Sequence, residues 1–325
     1  MNNKRTIIML AVIAIAAVVG FLVYKNQKPV DNTVAFTLRV PNTKFMGLLP
    51  LYVADERGYF AENKIKIEWV DVKDPGQAEK IFLSGHADLN GTTFANLLQV
   101  EIREPGTLSL FIPTYESADK PGSYFLVSAN SPIQSIADLK GKKIGTYAGP
   151  SQKAYAQIAL TKIGLTVDKD YELIQVASSS QIQSLFGGVF DVLFTVEPYG
   201  SVALQKGARK LEDGVRTKYI QNPFWVGAFE VKKEFAKDTI RMNQIVSSMN
   251  KAIQFIKTNE GDARKILSKR TTIDTTVAAN CFLYNWITTP SDKDVIEMQG
   301  LVKKLVDAKF LEKEVDINTM LYKKQ

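Results

Sequence analysis

Cysteine and histidine are nearly absent from this sequence: Cys281 and His86 are the only examples in 325 residues. A single cysteine forbids an intramolecular disulfide and argues neither for nor against export. A single histidine removes His-pair zinc sites and the H-E-x-x-H pattern, and leaves any His-dependent triad resting on one residue. His86 stands in "SGHADL" at a predicted helix end, where a solvated or helix-capping role is the ordinary one. Phosphate-cradling loops are missing too. No Gly-x-Gly-x-x-Gly opens a helix after a strand, and "GKKIGTYAGPS" fails the Gly-x-x-x-x-Gly-Lys-Ser/Thr pattern because Pro150 stands five residues after Gly145. There is no Gly-x-Ser-x-Gly elbow. No cofactor, no metal and no enzyme of the nucleotide or hydrolase type is therefore expected. A long basic run is also lacking. The net charge is +7, but Lys4, Arg5 and Lys25 lie in the N-terminal segment, and 41 basic residues less those three leave 38 against 34 acidic ones. Nucleic acid is not an expected partner.

What is present is ordinary globular material, 45% hydrophobic and 23% charged, long enough for two domains. One stretch stands apart. Ile7 to Tyr24, "IIMLAVIAIAAVVGFLVY", carries no charge, follows Lys4 and Arg5, and reaches the lower edge of the roughly 20 residues that span a bilayer. No small-x-small cleavage site follows it, and no cysteine is near for lipid attachment. The reading is an uncleaved signal-anchor over residues 1–28, with a cleaved signal peptide as the alternative. The body would then be extracytoplasmic, at the cell membrane. Flanking lysines and arginines are balanced, so charge alone does not orient the segment.

Beyond the tether "VDNTVAF", strand and helix signals alternate. Phe36, Leu38 and Val40 alternate with Thr37 and Arg39, and Ile65, Ile67 and Trp69 alternate with charged residues. Between them "LLPLYVADERGYF" has a proline near its start and Gly58 at its end, a helix signature. The alternation breaks at "SADKPG", Ser117 to Gly122, and restarts through "SYFLVSA", "KKIGTY", "YELIQV", "DVLFTV" and "ARKLE". Two such units predict α/β architecture with parallel or mixed sheets covered by helices. After "QNPFWVGAFEV" the character becomes helical: Ile245, Met249, Ile253 and Ile256 form one apolar face, and Val295, Met298, Val302 and Leu305 another.

Three strand-to-helix loops carry polar residues at helix starts: Asn42, Thr43 and Phe45 in "VPNTKFMGLLP", Thr92 and Thr93 in "LNGTTFANLL", and Ser151 and Gln152 in "TYAGPSQKAY". Open α/β sheets bind ligands outside the carboxyl ends of their strands, and free N–H groups at helix starts favour an anion or polar group. Simple capping by Thr93 or Ser151 is the alternative at each loop. Tyr199 and Trp225 are further candidates as pocket walls. In "DVLFTVEPYGS", Glu197 precedes Pro198 at a predicted helix start, where a carboxylate suits the helix dipole and proline suits the first position.

The stretches "LLPLYVADERGYFAENKIKIEWV", "LSGHADLNGTT", "SIADLKGKKIGTYAGPSQKAYAQIAL" and "FDVLFTVEPYGSVALQKGARKL", in this order, resemble the solute-binding proteins of ABC importers for nitrate, sulfonates, taurine and thiamine-precursor pyrimidines. The resemblance runs from about Val34 to about Phe255. It implies a two-lobed clamp of the type II periplasmic-binding fold, with a mixed sheet flanked by helices in each lobe, preceded here by the N-terminal transmembrane helix. Lobe one would combine residues 33–117 and 221–325, and lobe two residues 118–220. It further implies hinges near Pro121–Ser123 and Pro223–Trp225, a small polar or anionic solute of the sulfonate, nitrate or aminopyrimidine class, and an ABC permease as partner. The implied pocket is lined by Asn42 to Phe45, Thr92, Thr93, Ser151, Gln152 and the turn from Glu197 to Tyr199. No arginine stands at these loops. An enzyme of thiamine-pyrimidine biosynthesis on the same scaffold is the alternative, although such a synthase needs a catalytic histidine and a cysteine cluster.

Overall fold

Alternating apolar residues make strands wherever one face is buried, and continuous apolar runs make strands buried on both faces. Both kinds occur here. A computed structural model describes residues 35–323. The expected membrane segment lies outside these residues, and among the described residues no helix is long and apolar enough to cross a membrane.

β1 (Phe36–Asn42) pairs in parallel with β2 (Ile65–Asp71), with Leu38 and Val40 buried and Thr37 exposed, as the alternation predicts. A four-stranded antiparallel sheet follows the order β11-β4-β10-β3, from β3 (Leu89–Thr93), β4 (Leu108–Glu116), β10 (Phe224–Lys232) and β11 (Asn285–Trp286). A five-stranded mixed sheet has the order β7-β6-β8-β5-β9, from β5 (Ser123–Ser128), β6 (Lys142–Tyr147), β7 (Tyr171–Val176), β8 (Val192–Val196) and β9 (Ala208–Asp213). β6 runs parallel to β7 and β8, and β5 runs antiparallel to β8 and β9. The chain enters the five-stranded sheet between β4 and β5 and leaves it between β9 and β10.

The five-stranded sheet is covered on both faces. Phe125, Val127 and Phe194 join the large core, whereas Tyr124, Leu126 and Leu193 pack with Ile182, Leu185 and Ala203 on the other side. This explains why "DVLFTV" is continuous rather than alternating: every residue of β8 is buried. The C-terminal helices return to the first α/β unit. Lys269 and Arg270 pair with Glu56 and Asp55 at 2.7 and 2.9 Å, and Ser248 Oγ donates to the Tyr59 carbonyl at 3.0 Å.

One buried feature works against stability. Asn90 Nδ2 on β3 donates to Glu230 on β10 at 2.7 Å and to Glu79 at 3.4 Å, and one oxygen of each carboxyl group has no hydrogen-bond partner. Burial pushes the Glu79 carboxyl up to about 7, against the pull of Arg103, and burial together with the Glu79 charge raises Glu230 well above the usual range. A carboxyl group whose pKa rises on folding stabilises at acid pH, and that stabilisation is lost as pH climbs from about 4.5 through the folded value. Glu230→Gln removes one charge and supplies an amide donor. The expected outcome is a melting temperature several degrees above wild type at pH 8 and no gain at pH 5, measured by circular dichroism.

Candidate functional site

Two groups of side chains with functional chemistry lie where the chain passes between the sheets. The first surrounds a cavity of about 650 Å³. Its walls come from the β4–β5 connection (Lys120), from β5 (Tyr124), from the turn and helix after β8 (Glu197, Ser201) and from the C-terminal helices (Arg264, Cys281).

Glu197 is 1% exposed. The structure begins the helix at Tyr199, with Pro198 as its N-cap, so Glu197 precedes the first turn that the sequence suggested. Its carboxylate still serves that helix: it accepts from the Ser201 amide at 3.0 Å, from Ser201 Oγ at 2.7 Å and from the Tyr124 hydroxyl at 2.7 Å. Gly200 makes the last contact possible, since a Cβ there would stand 2.4 Å from the Tyr124 ring. Lys210 lies over that ring, 5.6 Å from its centroid. Three cationic groups (Lys120, Lys210, Arg264) and two carboxylates (Glu197, Glu260) line the cavity, and Arg264 is engaged with Glu260 at 2.7 Å. Burial and the nearby Glu197 charge push the Cys281 thiol up to about 11, so its nucleophilic thiolate is scarce at neutral pH.

The second group centres on Arg216, in the helix Val215–Tyr219, which the sequence reading passed over. Its guanidinium is buried and grips Glu116 side-on, through Nε at 3.1 Å and Nη2 at 2.8 Å. It also lies 4.7 Å over the Phe224 ring. Ser123 closes the arrangement: its hydroxyl donates to Glu116 at 2.8 Å and accepts from the Arg216 amide at 2.9 Å. Tyr155 stands edge-on to Phe224 with centroids 4.9 Å apart, and the phenols of Tyr147, Tyr155 and Tyr284 all feel the Arg216 charge. Burial dominates and raises all three phenols.

The residues marked from sequence fall in several places. Phe45 and Thr92 meet in a narrow crevice with Gly91, Thr114 and Gly227. Phe45 packs on Tyr284 with centroids 6.2 Å apart, Tyr284 packs on Phe282 at 5.3 Å, and Phe282 lines the large cavity. A chain of rings thus joins the crevice to the cavity. Gln152 is buried on the helix Pro150–Lys162 and Ser151 half-buried at its first turn, while Tyr199 packs on Tyr147 at 6.3 Å. Asn42 spends its amide oxygen on the Tyr52 hydroxyl at 2.9 Å, and Thr93 caps the helix Phe94–Arg103 by accepting from the Asn96 amide at 3.3 Å. Trp225 follows Phe224 on one strand, so it points to the opposite face. There it packs on Tyr115, 5.4 Å between centroids, away from Arg216.

His86 is exposed, its Nδ1 2.9 Å from Ser84 Oγ. The residues that sequence reading missed, Glu116 and Arg216 above all, are ordinary in their local context. The one available signal was that both flank the points where the chain changes sheets.

Comparison with known proteins gives three findings. The model of the NMT1/THI5-like family matches residues 45–259. A putative aliphatic sulfonates-binding protein from Bacillus subtilis is 26% identical over 86% of this chain and 81% of its own length, and a putative thiamine biosynthesis protein from Haemophilus influenzae is 28% identical over 44% of each chain, so this chain spans less than half of the latter's length. The crystal structure of the periplasmic aliphatic sulphonate binding protein SsuA from Escherichia coli superposes with a TM-score of 0.73 at 19% identity, covering 88% of this chain and 92% of that one. That likeness shows a shared α/β fold of the periplasmic-binding type.

The hydrogen bonds on Glu197 carry a direct consequence. Glu197→Gln replaces an acceptor with a donor facing Ser201 and Tyr124. It is expected to cost about 1–3 kcal/mol of unfolding free energy in a urea titration. Stability equal to wild type would mean that these donors do not depend on the carboxylate.

Proposed function

Because this chain belongs to the NMT1/THI5-like family, we propose that it is the extracytoplasmic solute-binding component of an ABC importer, taking a small polar or anionic organic solute and handing it to a permease without chemistry. The observation that carries this reading is the cavity of about 650 Å³ whose walls come from the five-stranded sheet and its helices on one side and from the C-terminal helices on the other. A volume of that order holds a small metabolite, and a site walled by two separately built units suits closure around a ligand. In this reading residues 33–117 and 221–325 form one lobe and 118–220 the other, with the two chain passages between them as the hinge. The solute belongs to the sulfonate, nitrate or aminopyrimidine class. It meets Phe45, Thr92, Gln152, Glu197 and Tyr199 on closure, with Asn42, Thr93, Ser151 and Trp225 supporting the loops that present them. Ligand shifts the open–closed balance by binding the closed form better, and the permease reads the closed form. The segment Ile7 to Tyr24 tethers the body to the membrane.

The thiamine-pathway relative keeps a synthase on the same scaffold as the second reading. Two features favour binding over turnover. The Cys281 thiol is held protonated by burial, and exposed His86 is absent from the cavity walls.

Native mass spectrometry of the purified chain should reveal a co-purifying small molecule. A panel of nitrate, taurine, alkanesulfonates and aminopyrimidines should include one member that raises the melting temperature by several degrees. Silence in both measurements, or turnover that disappears on replacing His86, overturns the reading.

A further inference from the structure

Around Arg216 the protein gathers several buried polar groups without hydrogen-bond partners. Nε and Nη2 of the guanidinium are spent on Glu116, and the Tyr284 phenol lies within reach of the same guanidinium. The hydroxyls of Tyr155 and Tyr284 and the side-chain amide nitrogen of Gln152 are buried without partners. All three residues are at least nine-tenths buried: Gln152 is 2% exposed, Tyr155 4% and Tyr284 3%. Gln152 and Tyr155 stand three apart on the helix Pro150–Lys162 and so share a face. That helix begins at Gly149 with no side-chain cap, leaving the positive end of its dipole and its first amides without a side-chain acceptor. Tyr284 lies in register beyond Asn285, which pairs with Tyr115, and this places it beside Glu116 on the same sheet face.

Buried donors without acceptors are costly, and a fold that keeps several of them in one place is preorganised for a group that the protein itself does not supply. We propose that Arg216, oriented by Glu116, grips the oxyanion head of the solute together with Tyr155, Tyr284 and Gln152. The proposal rests on the solute-binding reading and names the end of the molecule that this part of the site recognises. A cationic head finds no free carboxylate at Arg216, because Glu116 is consumed by Arg216 and Ser123. Glu116 fixes the guanidinium plane, which gives the directionality that an ammonium group lacks. A sulfonate, with three acceptor oxygens, satisfies a larger share of these donors than a neutral sulfone with two. The ring chain of Phe45, Tyr284 and Phe282 then lies beside the remainder of the solute.

The test uses the full chain in mild detergent, with isothermal titration by butane-1-sulfonate and by its neutral counterpart, butyl methyl sulfone. Wild type is expected to bind the sulfonate roughly tenfold or more tightly than the sulfone. Arg216→Lys keeps the charge but loses the fork, and is expected to weaken sulfonate binding roughly ten- to a hundredfold. Tyr155→Phe removes a hydroxyl that bonds nothing among the described residues, and Tyr284→Phe one whose neighbour in reach is the Arg216 guanidinium. Each should weaken sulfonate binding by roughly three- to tenfold while leaving the ligand-free melting temperature unchanged or higher, a pattern that a merely structural role does not produce. Equal affinity for sulfone and sulfonate, or sulfonate affinity unchanged in both phenylalanine variants and in Arg216→Lys, overturns the assignment and leaves the solute-binding reading standing. So does a wild type that ignores the sulfonate but binds a neutral or cationic member of the wider panel. A wild type silent toward every solute overturns both.

Discussion

The ion pair between Glu116 and Arg216 is the contact on which the arrangement of this molecule depends. Glu116 ends β4 and Ser123 begins β5, so the two flank the passage into the five-stranded sheet, and Arg216 lies just before the passage out. One carboxylate and one hydroxyl therefore tie both passages together in a volume that excludes water. Glu116 is fully buried and the Arg216 side chain is 4% exposed. Removing either partner of such a pair leaves an uncompensated buried charge, at a cost of about 3–5 kcal/mol. The pair joins the end of β4 to the helix before β10, and Ser123 at the start of β5 bonds to both partners.

That geometry also explains why much of the fold was legible and part of the site was not. β1, β2 and β8 follow from hydrophobic pattern alone, because their alternation or continuity is dictated by which faces are covered. Glycines and prolines at Pro50, Gly58 and Pro150 mark real helix ends. The order of soft motifs, each weak by itself, identified the family because topology constrains their sequence. Glu197 was legible as a helix-start carboxylate, although the helix begins two residues later and the carboxylate reaches back to the Ser201 amide. Arg216 was not legible. In "DGVRTKYI" it reads as one of two basic residues in a short helix, and the glutamate that pairs with it stands a hundred residues earlier in the chain. Trp225 illustrates the same limit: strand alternation and the neighbouring Phe224 decide its face, and a sequence cannot say which of two adjacent aromatics turns toward a site.

The polar groups divide into two kinds that sequence alone does not separate. Glu197, Thr93 and Asn42 are satisfied within the protein and belong to its scaffold. Tyr155, Tyr284 and Gln152 are buried and unsatisfied. Glu197 shows that one residue can hold both roles, for its carboxylate has capacity for another donor after accepting three. It borders the cavity while it anchors Tyr124 and Ser201.

The same distinction bears on catalysis against binding. A nucleophile needs an ionised thiol or an activated hydroxyl with a base in reach. Here the one cysteine sits where burial and a neighbouring carboxylate both oppose the thiolate, and the one histidine is exposed and hydrogen-bonded to Ser84. Near Arg216 the groups left unsatisfied are the Tyr155 and Tyr284 hydroxyls and the Gln152 amide nitrogen, each able to donate a hydrogen bond. The rings of Phe45, Tyr284 and Phe282 pack in a row beside these groups, so the polar atoms there lie in apolar surroundings where each hydrogen bond weighs more than in water.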